Sequence, residues 1–349
     1  MTRVLLIHEF PGGFGGAERY LELLAEGLVG LEHDVHTLLF GADVAEGSTV
    51  AERIDGGRET TELVIGRARS GGVRAAVRRL EPEVLHWNFV DPFAFRGATI
   101  TALAWGRPSV ITDHLPMRRD GLHYEVSRRL ANRRIGAMIV VGEASAAAAR
   151  AHWRAPPSLH VVRNGVPATG GSVRTQADDR PLRLLYVGRL TDQKGCLDLP
   201  DIVWAVRATG RSASLTLVGD GPLRDHVEEA LGGSDVELVG FVPDPGPYLA
   251  DADVLLAPSR YEGLPFTPLE ARAAGLPAVL SDIDAHRELE VDQAVELAPV
   301  GEPLAWAAAV ERVAERLPSA SRAALDAAHR HPLEAMVAGT AEVYRSVVG

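Results

Sequence analysis

The stretch LRLLYVGRLTDQKG, residues 182–195, decides the fold. It opens as an apolar run that closes on Gly188, and a polar loop carrying Arg189 and Lys194 follows. A buried strand running into such a loop begins a strand–loop–helix unit of a parallel sheet. What matters is where this unit stands. Residues 166–181, VPATGGSVRTQADDRP, are rich in Gly, Ser, Thr, Asp and Pro and read as an interdomain linker. The run at 182 therefore starts a new sheet. SLTLVG, VELVG, DVLLAPS, PAVLS and AVELA continue it as strands, with helices between them.

Upstream, the same alternation has already run once. RVLLIH, the glycine loop PGGFGG and AERYLELLAEGLVG read as strand, loop and helix, with Tyr20, Leu21, Leu24 and Leu28 at helical spacing. DVHTLLF, EVLHWN, PSVITDH, AMIVVG and LHVVRNG are further strands. Helices are expected near 72–80, 92–105, 120–134 and 143–152, and the region around 41–70 reads as polar. The chain is thus α/β, with two consecutive Rossmann-like halves: 1–165, the linker 166–181, and 182–331. Residues 332–349 form a last helix, expected to pack back toward the first half.

Length and composition bound the function. A chain of 349 residues has room for two cores. With 46% hydrophobic and 24% charged residues it is ordinary globular protein, neither disordered nor membrane-embedded. Its apolar runs are too short to span a bilayer, and the N-terminal one is too short for a signal peptide, so a cytoplasmic location is expected. The one cysteine, Cys196, excludes an intrachain disulfide or a cysteine zinc site. A net charge of −11 argues against a non-specific nucleic-acid partner. Of 36 basic residues, 35 are Arg and one is Lys194. A lone lysine marks a position that needs a compact ammonium rather than a flat guanidinium, with chance as the bland alternative.

In parallel sheets ligands bind beyond the carboxyl ends of the strands, so the loops there carry the chemistry. After the strand at 182, Arg189 and Lys194 flank the start of the next helix and suit a diphosphate. After the next strand, Gly219 and Gly221 allow close backbone approach and Pro222 suits a first helical position, although this pattern alone is a turn. After DVLLAPS comes YEGLPFTPLEARAAGLP, residues 261–277. Glu262 lies in that loop. Glu270 lies in the first turn of the helix opened by Pro268-Leu269-Glu270. Two carboxylates beside one crevice suit sugar hydroxyls, whereas a helix-dipole partner would explain only one of them.

These pieces in this order, GGFGGAER, VVRNGV, VGRL-x4-KG, GDGP, VGFV and EGLPFTPLEARAAGLP, resemble the family-4 retaining glycosyltransferases of the GT-B architecture. The resemblance implies two Rossmann-like domains facing each other across a cleft. The first would take a hydroxyl acceptor and the second a nucleotide-diphospho-sugar, a UDP- or GDP-sugar with the base undetermined. It implies that Arg189 and Lys194 hold the leaving diphosphate, so that no metal and no cofactor is required. Glu262, with the backbone of Gly263, Leu264 and Phe266, would hold the donor sugar, Pro265 having no N–H to offer. Glu270 would accept from the ribose, and Gly219, Asp220 and Phe241 would line the nucleotide pocket. Gly15 and Gly16 would reach phosphate or acceptor, and His114 would face the reacting sugar. A silent sugar-nucleotide-binding subunit and an epimerase of the same architecture stay open as alternatives.

Other signals are weaker. Asp251-Ala252-Asp253 reads as capping and surface rather than a metal motif, and the pairs His33/His36 and His329/His331 read as surface. Cys196 is expected at a helix start with a lowered pKa, as a thiol whose alkylation reports donor binding. His86, Trp87, Asn88 and Phe93 are candidate acceptor contacts, the two aromatic rings as stacking surfaces. Two Arg-rich stretches (Arg67, Arg69, Arg74, Arg78, Arg79; and Arg118, Arg119, Arg128, Arg129, Arg133, Arg134) read as solvated helix faces, ahead of membrane docking or, for Arg118 and Arg119, an anionic acceptor contact. An antibiotic, another secondary metabolite or a cell-surface glycan is the expected acceptor class, with a glycolipid ranked lower.

Overall fold

The leucine- and valine-rich runs become the strands of two parallel sheets in the computed structural model, which describes residues 1–9, 14–40, 63–66, 70–89, 107–115, 135–152, 158–175, 180–231, 235–290 and 292–349. The first sheet contains β1 (Arg3–Glu9), β2 (Asp34–Phe40), β3 (Leu63–Gly66), β4 (Val84–Phe89), β5 (Ser109–Asp113), β6 (Ala137–Val140) and β7 (Ser158–Val161). Their order is β3-β2-β1-β4-β5-β6-β7, all parallel. Helices α1 (Gly16–Gly30), α2 (Ser70–Leu80) and α3 (Glu143–His152) belong to this half. Strand β3 corrects the reading of 41–70 as merely polar: LVIG is only four residues long and gives too short a run to stand out. The helices expected near 92–105 and 120–134 lie outside the described residues.

The second sheet contains β8 (Leu182–Val187), β9 (Ala213–Val218), β10 (Val236–Gly240), β11 (Val254–Ala257), β12 (Ala278–Ser281) and β13 (Val295–Ala298), in the order β10-β9-β8-β11-β12-β13. Two short 3-10 turns, Asp192–Lys194 and Cys196–Asp198, lead into α4 (Leu199–Ala208). Helices α5 (Arg224–Leu231), α6 (Gly246–Asp251), α7 (Phe266–Ala273), α8 (Asp284–Arg287), α9 (Pro303–Glu315) and α10 (Leu317–Ala327) follow. Leu184, Leu215, Leu217, Leu256, Ile202, Val206, Trp306 and Val310 share one buried core, in which the sheet meets α4 and α9. No helix among the described residues is long and apolar enough to cross a membrane.

The chain divides into two units, Met1–Asn164 with Leu333–Gly349, and Gly165–Pro332. The last helix, α11 (Leu333–Val348), is therefore part of the first unit, where it packs on α1. Two glycines admit it: a Cβ on Gly27 would lie 2.2 Å from Val337, and one on Gly136 would lie 2.9 Å from Val347. In the second unit the two chain ends are paired, the Val166 N–H donating to the His331 carbonyl at 3.0 Å.

The segment read as a linker does structural work within the second unit. The Arg174 side chain is buried and donates to five carbonyls, those of Ser172, Leu249, Ala250, Ala252 and Ala274. It thus caps the carboxyl ends of α6 and α7 at once, supplying donors and a positive charge where both helices leave carbonyls unpaired. Its backbone N–H donates to Ser321 Oγ at 2.9 Å, tying the segment to α10. Arg174→Ala is expected to destabilise the protein by about 2 kcal/mol, or roughly 4–8 °C in Tm. Calorimetry checks this, and an unchanged Tm would contradict the capping role.

Candidate active site

In each sheet the strand order reverses once, between β1 and β4 and between β8 and β11. Loops diverge at such a switch point and leave a crevice beyond the carboxyl ends of the strands. In the second unit the loops flanking it are those after β8 and β11. The first carries Arg189 and Lys194, the second Glu262, and they meet: Lys194 Nζ donates to Glu262 Oε1 at 2.5 Å. Gln193 Nε2 donates to the Tyr261 carbonyl at 3.2 Å, and the Arg260 N–H to the Gln193 carbonyl at 2.8 Å. Arg189 is half-buried, and Tyr186 fixes its backbone by donating to its carbonyl at 2.8 Å.

Glycines let these loops interlock. Gly195 has φ +66°, and a Cβ there would lie 1.9 Å from the Pro258 carbonyl. Gly219, with φ +139°, would place one 1.9 Å from the Gly188 carbonyl. The Gly219 N–H donates to the Gly240 carbonyl at 2.8 Å, which joins Gly219 and Asp220 to the loop beginning at Phe241. Phe241 is exposed, as a surface for a flat ligand requires. Leu264 and Phe266 are buried, and Phe266 is the first residue of α7, where helix N–H groups have no partner within the helix. All the donor-side candidates therefore stand at the carboxyl end of one sheet. Glu270 is the fifth residue of α7, one position beyond the first turn expected for it.

The electrostatics centre on Glu262. Its side chain is 8% exposed, and burial alone would raise its pKa. The Lys194 ammonium and the Ser259 hydroxyl, which donates to Oε1 at 2.7 Å, outweigh burial and hold the pKa below the ordinary value. Ser259 and His286 went unnoticed in the sequence. Ser281 Oγ donates to the Ser259 carbonyl at 2.5 Å, and His286 Nδ1 lies 2.8 Å from the Ser281 carbonyl. This polar layer backs the glutamate. Its only sequence signal is a serine three residues before Glu262.

Several expectations are corrected. Cys196 is fully buried, and burial pushes its thiol up to about 11 rather than down. It follows Gly195 in the 3-10 turn that leads into α4 and sits in the core, where burial outweighs its place near a helix start. Native Cys196 is therefore expected to resist alkylation at pH 8, nucleotide present or not, and to react at once on unfolding; fast native labelling would contradict its burial. The linkage sign follows: stability is full below pH 9, the ordinary thiol value here, and falls as pH rises toward 11, because the unfolded thiol ionises first. Asp253 is buried rather than superficial, since Arg180 holds it at 2.5 and 2.8 Å and the Arg183 N–H at 2.9 Å. His331 is buried too. Pro222 precedes α5 by a turn instead of opening it.

In the first unit, His114 stands just after β5, half-buried, with its ring edge-on to Tyr20 at a centroid distance of 4.7 Å. Burial, and behind it His8, lowers its pKa to about 3. Gly15 is the N-cap of α1 and Gly16 its first residue. The Gly15 N–H donates to Glu18 Oε2 at 2.9 Å, while Glu18 Oε1 lies 2.8 Å from His8 Nε2. Asn88, at the end of β4, bonds His114 Nε2 through Oδ1. His86 and Trp87 do not serve as acceptor contacts. Trp87 is fully buried in the core beneath the sheet, and His86 is buried between Thr112 Oγ1 (2.7 Å) and the Tyr344 hydroxyl (2.5 Å). Strand alternation sends Trp87 to the face opposite His86 and Asn88. Of the Arg-rich stretches, Arg74, Arg78 and Arg79 lie exposed along α2. Phe93, Arg67, Arg69, Arg118, Arg119, Arg128, Arg129, Arg133 and Arg134 lie outside the described residues.

Two family descriptions match the chain: "Glycosyltransferase Family 4" over residues 14–169 and "Glycosyl transferases group 1" over residues 181–316. The chain belongs to the group 1, family 4 glycosyltransferases. The amylovoran biosynthesis glycosyltransferase AmsK of Erwinia amylovora is 33% identical over 45% of this glycosyltransferase chain and 42% of its own length. A GDP-mannose-dependent phosphatidylinositol dimannoside mannosyltransferase of Mycobacterium tuberculosis is 36% identical over 30% of this chain and 29% of its own. This glycosyltransferase chain thus aligns with less than half the length of these curated relatives. In fold it is similar to Anabaena HepE, solved with UDP and glucose, with a TM-score of 0.80, 19% identity and coverage of 98% and 99% of the two chains. Sucrose-phosphate synthase of Thermosynechococcus elongatus gives 0.77, 18% identity and 99% and 98%. The α/β, two-domain GT-B fold is shared across these glycosyltransferase structures.

Proposed function

We propose that the protein is a retaining, metal-independent glycosyltransferase that moves a sugar from a UDP- or GDP-sugar to a hydroxyl acceptor. The observation that carries this reading is the Lys194–Glu262 contact at the β8/β11 switch point, an ammonium and a carboxylate held by interlocked loops. Breaking the bond between the anomeric carbon and the diphosphate oxygen develops positive charge on the sugar and negative charge on the leaving group. Fixed cations aimed at that group contribute most. An ammonium has three donors, so Lys194 can hold Glu262 and still reach phosphate. Arg189 supplies the second charge.

Glu262 accepts from hydroxyls of the donor sugar, with the backbone of Gly263, Leu264 and Phe266 beside it. Glu270 accepts from the ribose, and Gly219, Asp220 and Phe241 line the base. Gly15 and Gly16 are assigned to phosphate or acceptor, and His114 to the reacting sugar. The acceptor oxygen bonds the anomeric carbon on the face the diphosphate leaves, and its proton passes to the departing phosphate oxygen. No protein carboxylate need form a covalent intermediate, unlike in retaining glycosidases. The acceptor is a secondary metabolite, such as an antibiotic, or a cell-surface glycan; similarity to an enzyme of amylovoran biosynthesis favours the glycan.

Proton NMR of turnover with UDP-glucose and GDP-mannose, in EDTA, tests the reading. Nucleoside diphosphate release with an axial anomeric product from an axial donor is expected. An inverted product or a strict metal requirement would overturn the mechanism, and release-free binding would favour a silent nucleotide-sugar-binding subunit.

A further inference from the structure

The cluster around Asn88 has a chemical polarity that can be read from its partners. Asn88 Nδ2 lies 3.0 Å from the Ala17 carbonyl and 3.1 Å from His8 Nδ1. A carbonyl oxygen only accepts, so the amide end of Asn88 must face Ala17 and its Oδ1 must face His114. Oδ1 also only accepts. His114 Nε2, its partner, must therefore carry the proton. This conclusion holds whichever tautomer His8 adopts between Glu18 Oε1 at 2.8 Å and the Asn88 carbonyl at 2.9 Å. All three partners behind His114 are buried: Asn88, His8 and Glu18 are 1%, 0% and 3% exposed. The amide thus cannot turn without leaving a buried group unpaired.

The geometry points to Asn88 as a positioning residue that fixes His114 in its Nε2–H tautomer, so that His114 meets a substrate hydroxyl as a hydrogen-bond acceptor through Nδ1. Nδ1 has no hydrogen bond to any described residue, and burial keeps the ring neutral, which leaves that lone pair available. An acceptor nitrogen suits a sugar or acceptor hydroxyl, whereas an imidazolium would repel the positive charge developing at the anomeric carbon. The Glu18 carboxylate, behind His8 in the chain of contacts, orients the array and ties it to the start of α1 through Gly15. This inference rests on the proposed role of His114, and the test separates the two.

Nitrogen-15 NMR of histidine-labelled protein reads the tautomer directly, with His114→Ala assigning the resonance. The wild type is expected to show a protonated Nε2 and a bare Nδ1 at His114 near neutral pH. Asn88→Leu is expected to lose that preference and to lower kcat about tenfold to a hundredfold while donor Kd stays unchanged. Asn88→Asp keeps an acceptor for Nε2–H and is expected to keep the tautomer and part of kcat, but it replaces the Nδ2–H donor to the Ala17 carbonyl with an oxygen, so a lower Tm is expected with it. A protonated Nδ1 in the wild type, or an Asn88→Leu variant with unchanged tautomer and kcat, would overturn the inference. If His114→Ala leaves kcat unchanged, the catalytic role of His114 fails, whatever the tautomer. If Asn88→Leu does not fold, the wild-type spectrum decides alone.

Discussion

Lys194→Ala is expected to lower kcat about 100- to 1,000-fold, the loss typical of removing one preorganised donor from a developing charge. The same change strands Glu262. Its carboxylate is 8% exposed, and Lys194 is the cation bonded to it. Losing one partner of a buried pair costs about 3–5 kcal/mol, less here because Lys194 is itself 22% exposed. The pH dependence gives an independent check. In the wild type the Glu262 pKa is lowered, so the pair's stabilisation is present above the unfolded carboxylate pKa and is lost as pH falls through the lower folded value. In Lys194→Ala burial dominates and the glutamate pKa rises above its unfolded value, so the sign reverses: the variant is penalised most near neutral pH, and lowering the pH through that raised value relieves the penalty. Kinetics and pH-dependent melting both read this out. Lys194→Arg keeps the charge but not the point geometry and should recover stability better than turnover. A Lys194→Ala enzyme with wild-type kcat would remove lysine from the mechanism.

Gly219→Ala carries the second large effect. The residue has φ +139°, and its Cβ would meet the Gly188 carbonyl at 1.9 Å. Backbone strain of about 1–3 kcal/mol adds to about 1–3 kcal/mol of overpacking against atoms that cannot rotate away. Moving the Gly188 loop shifts Arg189 beside it, so donor binding should weaken together with stability. The expected Tm drop is roughly 10 °C or more for about 4 kcal/mol in a unit of this size. Gly210→Ala is the control. Its φ is +93° but nothing lies within 4 Å of the added Cβ, so it pays strain without collision and should leave donor affinity intact. Equal donor binding in wild type and Gly219→Ala would show that the loop contact is unimportant.

What the sequence revealed follows from how locally each feature is encoded. The strands of the second sheet were legible because each is an apolar run ended by a glycine or a polar turn, and their loops place Arg189, Lys194, Glu262 and Glu270 at one edge by topology alone. Strand β3 was hidden because four residues in a polar region give no periodicity. The segment 166–181 reads as linker from its polar composition, whereas the guanidinium of Arg174 within it is buried among carbonyls supplied by residues up to 100 positions away. Cys196 followed the same logic in reverse: a place near a helix start suggested a reactive thiol, and packing buried it. Trp87 was assigned by residue type when strand alternation, already in the sequence, turns it into the core. The Glu18–His8–Asn88–His114 array joins α1, β1, β4 and the end of β5, and only the parallel register brings those four together.

The loops after β8 and β11 are proposed to bind a nucleoside diphosphate through fixed cations. Titration calorimetry of UDP, GDP, ADP, CDP and dTDP in EDTA, on the wild type and on Lys194→Ala, tests it most directly. One nucleotide is expected to bind the wild type without metal, and Lys194→Ala is expected to lose about tenfold or more in affinity, at least about 1.4 kcal/mol. No binding by any nucleotide, or binding that Lys194→Ala leaves unchanged, would contradict it.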